Sequence, residues 1–207
     1  MKKYLVEFIG TFFLVFTIGC TAIPPGAGAF APLAIGASLM VMIFAGGHVS
    51  GAHFNPAVSL AAWMRGKLLT RDLLPYWIAQ VFAAVVAVWA VHFFKHTASG
   101  DGMAIGIKAA LLAEFLYTFA LAYVVLNVAT SKATAGNSFY GLAIGSTVMV
   151  GAFAVGPISG GAFNPAVAVG VTLMGLSAWS NLWVLIVGEL AGAAVAALTY
   201  KLVNGND

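Results

Sequence analysis

Ser50-Gly-Ala-His-Phe-Asn-Pro-Ala-Val-Ser-Leu60 and Ser159-Gly-Gly-Ala-Phe-Asn-Pro-Ala-Val-Ala-Val169 are one phrase written twice, 109 positions apart, with seven of eleven positions identical. Proline suits the first turn of a helix, where its missing N–H costs nothing. The asparagine before it offers a carboxamide. Each phrase thus opens a short segment, residues 55–64 and 164–173. As helix, each is roughly 15 Å long. That is too short to cross a hydrocarbon layer about 30 Å thick. Irregular backbone survives at membrane depth only where it is buried in protein or lines a wet cavity. In so apolar a chain the repeated phrase predicts two half-helices that enter from opposite faces. They meet near the centre with their N-termini facing each other, and the meeting point is a pore.

The rest of the chain fits a membrane setting. Of the 207 residues, 62% are hydrophobic and 7% charged, and the mean hydropathy is +1.01, which excludes an ordinary soluble domain. Six apolar stretches reach the length of about 20 residues that a spanning helix needs: 4–23, 31–48, 73–94, 107–129, 140–157 and 179–203. The first carries Glu7 and is followed by Pro24-Pro25, unlike a cleaved signal peptide. With six spans, Lys2, Lys3, Arg65, Lys67, Arg71, Lys132 and Lys201 fall on one side and only Lys95 and Lys108 on the other. The excess of positive charge places both termini in the cytoplasm. The short loops and absent targeting segment fit a prokaryotic plasma membrane. The single cysteine, Cys20, excludes an intramolecular disulfide, and four histidines without acidic or thiol company give no metal site. The net charge of +3 is dispersed, so nucleic acid is not an expected partner.

The repetition reaches beyond the phrase. Glu7-Phe-Ile-Gly-Thr-Phe12 answers to Glu114-Phe-Leu-Tyr-Thr-Phe119 at an offset of 107, and Gln80 is matched by Glu189 at 109. Three spans per half is an odd number, so the second half sits upside down relative to the first, as an inverted repeat. The expected fold is all-α, with six transmembrane helices and two re-entrant half-helices. It forms one channel domain over 1–207 whose halves are approximately 1–105 and 106–207. The join lies in the polar connector 131–138.

The doubled Asn55-Pro56-Ala57 and Asn164-Pro165-Ala166, with their Gly-rich approaches, resemble the aquaporin (major intrinsic protein) family over nearly the whole chain. The resemblance implies a passive channel, a homotetramer with one pore per subunit, no cofactor and no catalytic residue. It also implies that the Asn55 and Asn164 amides donate to a passing oxygen. Carbonyls of Gly46, Gly47 and His48 in one half, and of Gly160, Gly161 and Ala162 in the other, would accept from water. Glu7 and Glu114 would hold the half-helix loops in shape through backbone N–H groups, since an unpaired acid within a span costs about 2.5 kcal/mol or more. Each half-helix N-terminus carries roughly +0.5 of an elementary charge, and two converging ends oppose cations and a proton wire. His53 has no counterpart in the second copy, where Ala162 stands, and either shapes the loop or satisfies a buried contact. Glu189 is an unusual acid, read as a helix-packing hydrogen bonder or as a residue facing a channel or subunit interface.

One departure bears on substrate. The family's second motif usually continues into arginine, and here it continues into Val167. The implied filter is Ile35, Ala152, Gly161 and Val167, small and apolar. Such a constriction would pass water and larger neutral solutes such as urea, ammonia, hydrogen peroxide and glycerol, unless Phe153 or Phe163 plugs it. Two other readings stay open: an ion- or proton-leaky channel, made plausible by the lost positive charge, and a non-conducting scaffold on the same fold. Nothing resembles a nucleophile–base pair, so no enzyme is expected.

Overall fold

A computed structural model describes residues 1–95 and 101–205. His96 and most of the polar crossing 97–102, expected at the outer surface, lie outside the described residues. Among the described residues there are eight α-helices and no strand: α1 (Lys2–Ala22), α2 (Ala31–Ser50), α3 (Pro56–Met64), α4 (Thr70–Lys95), α5 (Ile107–Thr130), α6 (Tyr140–Ser159), α7 (Pro165–Leu173) and α8 (Leu182–Asn204). Six are long and apolar enough to cross a membrane, and α3 and α7 are the two short helices that begin at the repeated phrase.

Local chemistry sets the boundaries. Asn55 and Asn164 cap α3 and α7, their side-chain oxygens accepting from Ala57 N–H at 2.8 Å and Ala166 N–H at 3.0 Å, with proline next in the first turn. α2 and α6 end on Gly51 (φ 85°) and Gly160 (φ 95°), left-handed positions that glycine adopts without steric cost.

The second four helices repeat the long–long–short–long order of the first four, and the packing repeats too. α1 lies on α4 as α5 lies on α8, α1 on α2 as α5 on α6, and α3 crosses to α8 as α7 crosses to α4. The exchange of short helices joins the halves into one body. Gly36 and Gly145 are related by the 109-residue offset, and they touch each other. A Cβ on either would stand 2.6 or 2.5 Å from the other's carbonyl oxygen, so α2 and α6 cross here backbone to backbone on the axis relating the halves.

Apolar side chains face outward as well as inward. Leu5, Phe82, Trp89, Phe93, Leu112 and Leu198 are all more than half exposed, whereas Glu7, Gln80, Glu114 and Glu189 are fully buried. A lipid-facing exterior around a polar centre is the reverse of a water-soluble domain. The ends of the bundle sort the charges. Lys3 pairs with Asp72 at 2.5 Å, bringing the start of α1 to the start of α4, and the Arg65 guanidinium lies over Tyr200 near the end of α8. Lys95 donates to Pro25 O at the opposite end.

Candidate functional site

At the centre the two short helices meet tip to tip and are tied reciprocally. Asn55 Nδ2 donates to Phe163 O, and Asn164 Nδ2 donates to Phe54 O, each at 2.8 Å. Each carboxamide thus spends its oxygen on its own helix and one hydrogen on the other half. One N–H per asparagine is left over, because the group has two.

The geometry needs strained backbone. Phe54 (φ 50°), Phe163 (φ 52°) and Ala52 (φ 49°) are left-handed without being glycine, at a cost of order 1–3 kcal/mol each. Two buried acids hold these loops. Glu7 Oε1 accepts from Ser50 Oγ (2.7 Å) and His53 N–H (2.9 Å), and its Oε2 accepts from Phe54 N–H (2.6 Å) and Gln80 Nε2 (2.8 Å). Glu114 Oε1 accepts from Ser159 Oγ (2.6 Å) and Ala162 N–H (3.1 Å), and its Oε2 accepts from Phe163 N–H (2.7 Å). Charge-assisted bonds to two successive backbone N–H groups fix the loop where sterics alone would relax it.

Room for the phenylalanine rings comes from different glycines in the two halves. A Cβ on Gly10 would meet the Phe54 ring at 2.2 Å, and one on Gly151 would meet Phe163 at 2.6 Å. Tyr117 occupies the repeat position of Gly10 and stacks obliquely on Phe163 with centroids 5.4 Å apart.

A narrow cavity runs past both asparagines, with about 60 Å³ open to the centres of water molecules. One water needs roughly 10–15 Å³ on that measure, so the cavity has room for a few waters. Its walls are paired by the repeat: Leu14 with Leu121, Ile18 with Val125, Ile35 with Ile144, Leu39 with Val148, and Val58 with Val167. The lining side chains able to hydrogen-bond are His53, Asn55 and Asn164, and none is basic apart from that histidine. Ile35, Ala152, Gly161 and Val167 all lie on this one cavity. Phe153 points outward, 54% exposed, and Phe163 is buried behind the wall; neither lines the cavity. A wider cavity of about 650 Å³ lies toward the end that carries Lys67 and the 131–138 connector, bordered by Gly47, His48, Gly51 and Tyr140.

One expectation needs correction. Gly46, Gly47 and His48, expected to offer carbonyls to water, lie inside α2, which runs on to Ser50, and Gly47 O accepts from Gly51 N–H. Their glycines serve helix packing, Gly46 against Val6 and Phe54. The irregular stretch is residues 51–54, matching 160–163 in the second half. Gly160, Gly161 and Ala162 do lie there and line the cavity. Sequence reading also passed over Ser50 and Ser159, which bond to the acids; their identity in both copies of the phrase was the signal. His53 is tied on three sides, by Glu7 through its N–H, by Ser59 Oγ 3.1 Å from Nδ1, and by the Tyr76 ring. Trp77 donates from its indole to Pro56 O and steadies the start of α3.

Residues 1–200 match the family described as Major intrinsic protein. The chain is 38% identical to Aquaporin NIP1-4 of Oryza sativa subsp. japonica, over 98% of this chain and 77% of that protein. It is 37% identical to Glycerol uptake facilitator protein-like 6 of Lactiplantibacillus plantarum, with both chains covered in full. In three dimensions it resembles the X-ray structure of the aquaglyceroporin from Plasmodium falciparum, with a TM-score of 0.81, 22% identity, and 99% and 96% of the two chains covered.

Proposed function

This chain belongs to the major intrinsic protein family of membrane channels, and from that premise we propose that its central cavity conducts water and small neutral solutes such as urea, ammonia, glycerol and hydrogen peroxide. The observation that carries the reading is one central cavity, apolar on its walls and polar where the two Asn-Pro-Ala tips meet. The spare N–H of each carboxamide donates to the oxygen of a passing molecule. Water must turn both lone pairs toward these donors, and two converging helix N-termini add positive potential, so a continuous proton wire and cations are both disfavoured. Carbonyls of Gly160, Gly161 and Ala162 accept from the permeant on one side. Gly51, Ala52 and His53 are their repeat equivalents on the other.

Ile35, Ala152, Gly161 and Val167 form the outer filter. Val167 stands where most relatives in this family carry arginine, and it is the repeat mate of Val58. An apolar filter binds no permeant tightly and rejects none by charge, and the phenylalanines beside it face away from the cavity. Selectivity then falls on size and desolvation: small neutral molecules enter, and ions do not because nothing replaces their hydration. The protein sits in the membrane as a homotetramer with both termini in the cytoplasm, a placement supported by the gathering of Lys3, Arg65, Lys67 and Lys201 at one end of the bundle.

Stopped-flow light scattering on proteoliposomes tests this. Rapid shrinkage in an impermeant osmolyte, followed by fast re-swelling in urea and glycerol, is the expected result. Water flux without solute entry would overturn the open filter. Collapse of an imposed proton gradient would favour the leaky-channel reading, to which the absence of a basic residue other than histidine along the cavity lends its weight.

A further inference from the structure

Glu189 is fully buried, and neither of its carboxyl oxygens has a hydrogen-bond partner among the described residues. It lies in α8 against α5, next to Gly188, where a Cβ would stand 3.0 Å from Glu114 Cβ, so the two acids are neighbours across the α5–α8 contact, with the backbone of Asn164 as the other polar group nearby. No basic side chain acts on it from α5, α3 or α7. An ionised carboxylate so placed would be buried and uncompensated beside a second carboxylate.

The first half shows what the position does. Glu7 receives four hydrogen bonds, the fourth from Gln80 Nε2, and the same Nε2 also donates to Ser59 Oγ at 3.0 Å. Gln80 is the repeat mate of Glu189, and Ser59 that of Ala168. Glu114 has three donors, from Ser159, Ala162 and Phe163, and lacks the fourth. An amide offers two hydrogens and meets two acceptors in the first half. A protonated carboxyl offers one hydrogen, and in the second half, with alanine at 168, one acceptor is left.

We propose that Glu189 is a positioning residue that carries a proton and donates it to Glu114 Oε2, completing around Glu114 the four-donor shell that Gln80 completes around Glu7. The pair then holds one proton and one negative charge, as two adjacent buried carboxyls do when they share a site. The Asn164 backbone is the other polar group beside it, so one side chain stands between the acid that grips the 160–163 loop and the residue at the centre of the pore. This goes beyond the proposed permeants and does not depend on which of them pass.

The test uses the full-length protein with two variants. Infrared spectroscopy of the wild type should show the C=O band of a protonated carboxylic acid, and Glu189→Gln should lose it. Glu189→Gln copies the first half, so it should keep the wild-type melting temperature in detergent and the wild-type water permeability. Glu189→Leu fills the space without a donor, and should lower the melting temperature by several degrees and reduce permeability. Absence of the band, its persistence in Glu189→Gln, or equal stability of the two variants would each overturn the assignment. A melting temperature that rises steeply with sodium or potassium, with no acid band, would mean that a bound cation joins the carboxylates instead. Band and melting temperature are read on purified protein, so their failure is distinct from failure of the solute-flux test.

Discussion

Replacing Glu7 by glutamine removes one acceptor oxygen and changes little else, which isolates the loop-holding hydrogen bonds. The carboxylate meets two donors on each oxygen: Ser50 and His53 on one, Phe54 and Gln80 on the other. Two of the four adapt to an amide. The Ser50 hydroxyl rotates, and Gln80 flips to present its oxygen, which has no partner in the native arrangement. The backbone N–H groups of His53 and Phe54 cannot turn away, so whichever faces the new –NH2 is orphaned. A buried donor left unsatisfied costs about 1–3 kcal/mol. Glu7→Ala orphans both N–H groups and leaves a cavity, for a loss of about 3–6 kcal/mol. The left-handed Phe54 then relaxes, and with it the carbonyl that Asn164 grips. On a domain of this size, about 2–4 °C of melting temperature follows each kcal/mol. The assay is thermal unfolding in detergent beside osmotic permeability in proteoliposomes. Glu7→Gln should melt a few degrees lower and conduct weakly, and Glu7→Ala should lose conduction. Wild-type stability and flux in Glu7→Gln would refute the argument that backbone N–H groups, rather than the shape of the side chain, are what this acid serves.

Val167→Arg should cut glycerol and urea entry more than water flux in the same vesicles; equal loss of both would place Val167 away from the constriction. Gly10→Val drives a Cβ into the Phe54 ring, 2.2 Å away, and overpacking of this kind costs about 1–3 kcal/mol. Reduced water permeability is expected, and an unchanged value would show that the ring moves without disturbing Asn164. Asp72→Asn breaks the Lys3 ion pair and weakens the Tyr4 hydroxyl contact at 2.7 Å. Because Lys3 is partly exposed, water screens the pair, and the loss should appear as a small drop in detergent stability with unchanged flux per folded channel.

Much of the architecture was legible in the chain itself, because the membrane leaves few choices. Hydrocarbon demands internally satisfied backbone, so the six apolar stretches had to be helices. Each expected span agrees with the corresponding helix in the structure to within a few residues. Asn-Pro at a helix start is equally restrictive, and the repeated phrase placed α3 and α7. α1 packs on α4 as α5 packs on α8, the same contact within each set of four helices. Glycine was where reading by residue type misled. In a loop it marks a turn, but in a membrane helix it marks a close crossing, and only the packing of Val6 and Phe54 against Gly46 shows which meaning applies. Contacts between residues more than 40 positions apart were likewise decided in three dimensions: which N–H groups Glu7 and Glu114 receive, that the asparagines tie themselves to the opposite phenylalanine carbonyls, and that Phe163 packs behind the wall while Phe153 turns outward. Local sequence carries periodicity and capping, which act over a single turn of helix. Hydrogen-bond pairing across the bundle depends on where two turns from different helices come to rest, and for Glu189 that meeting left a buried acid beside another acid.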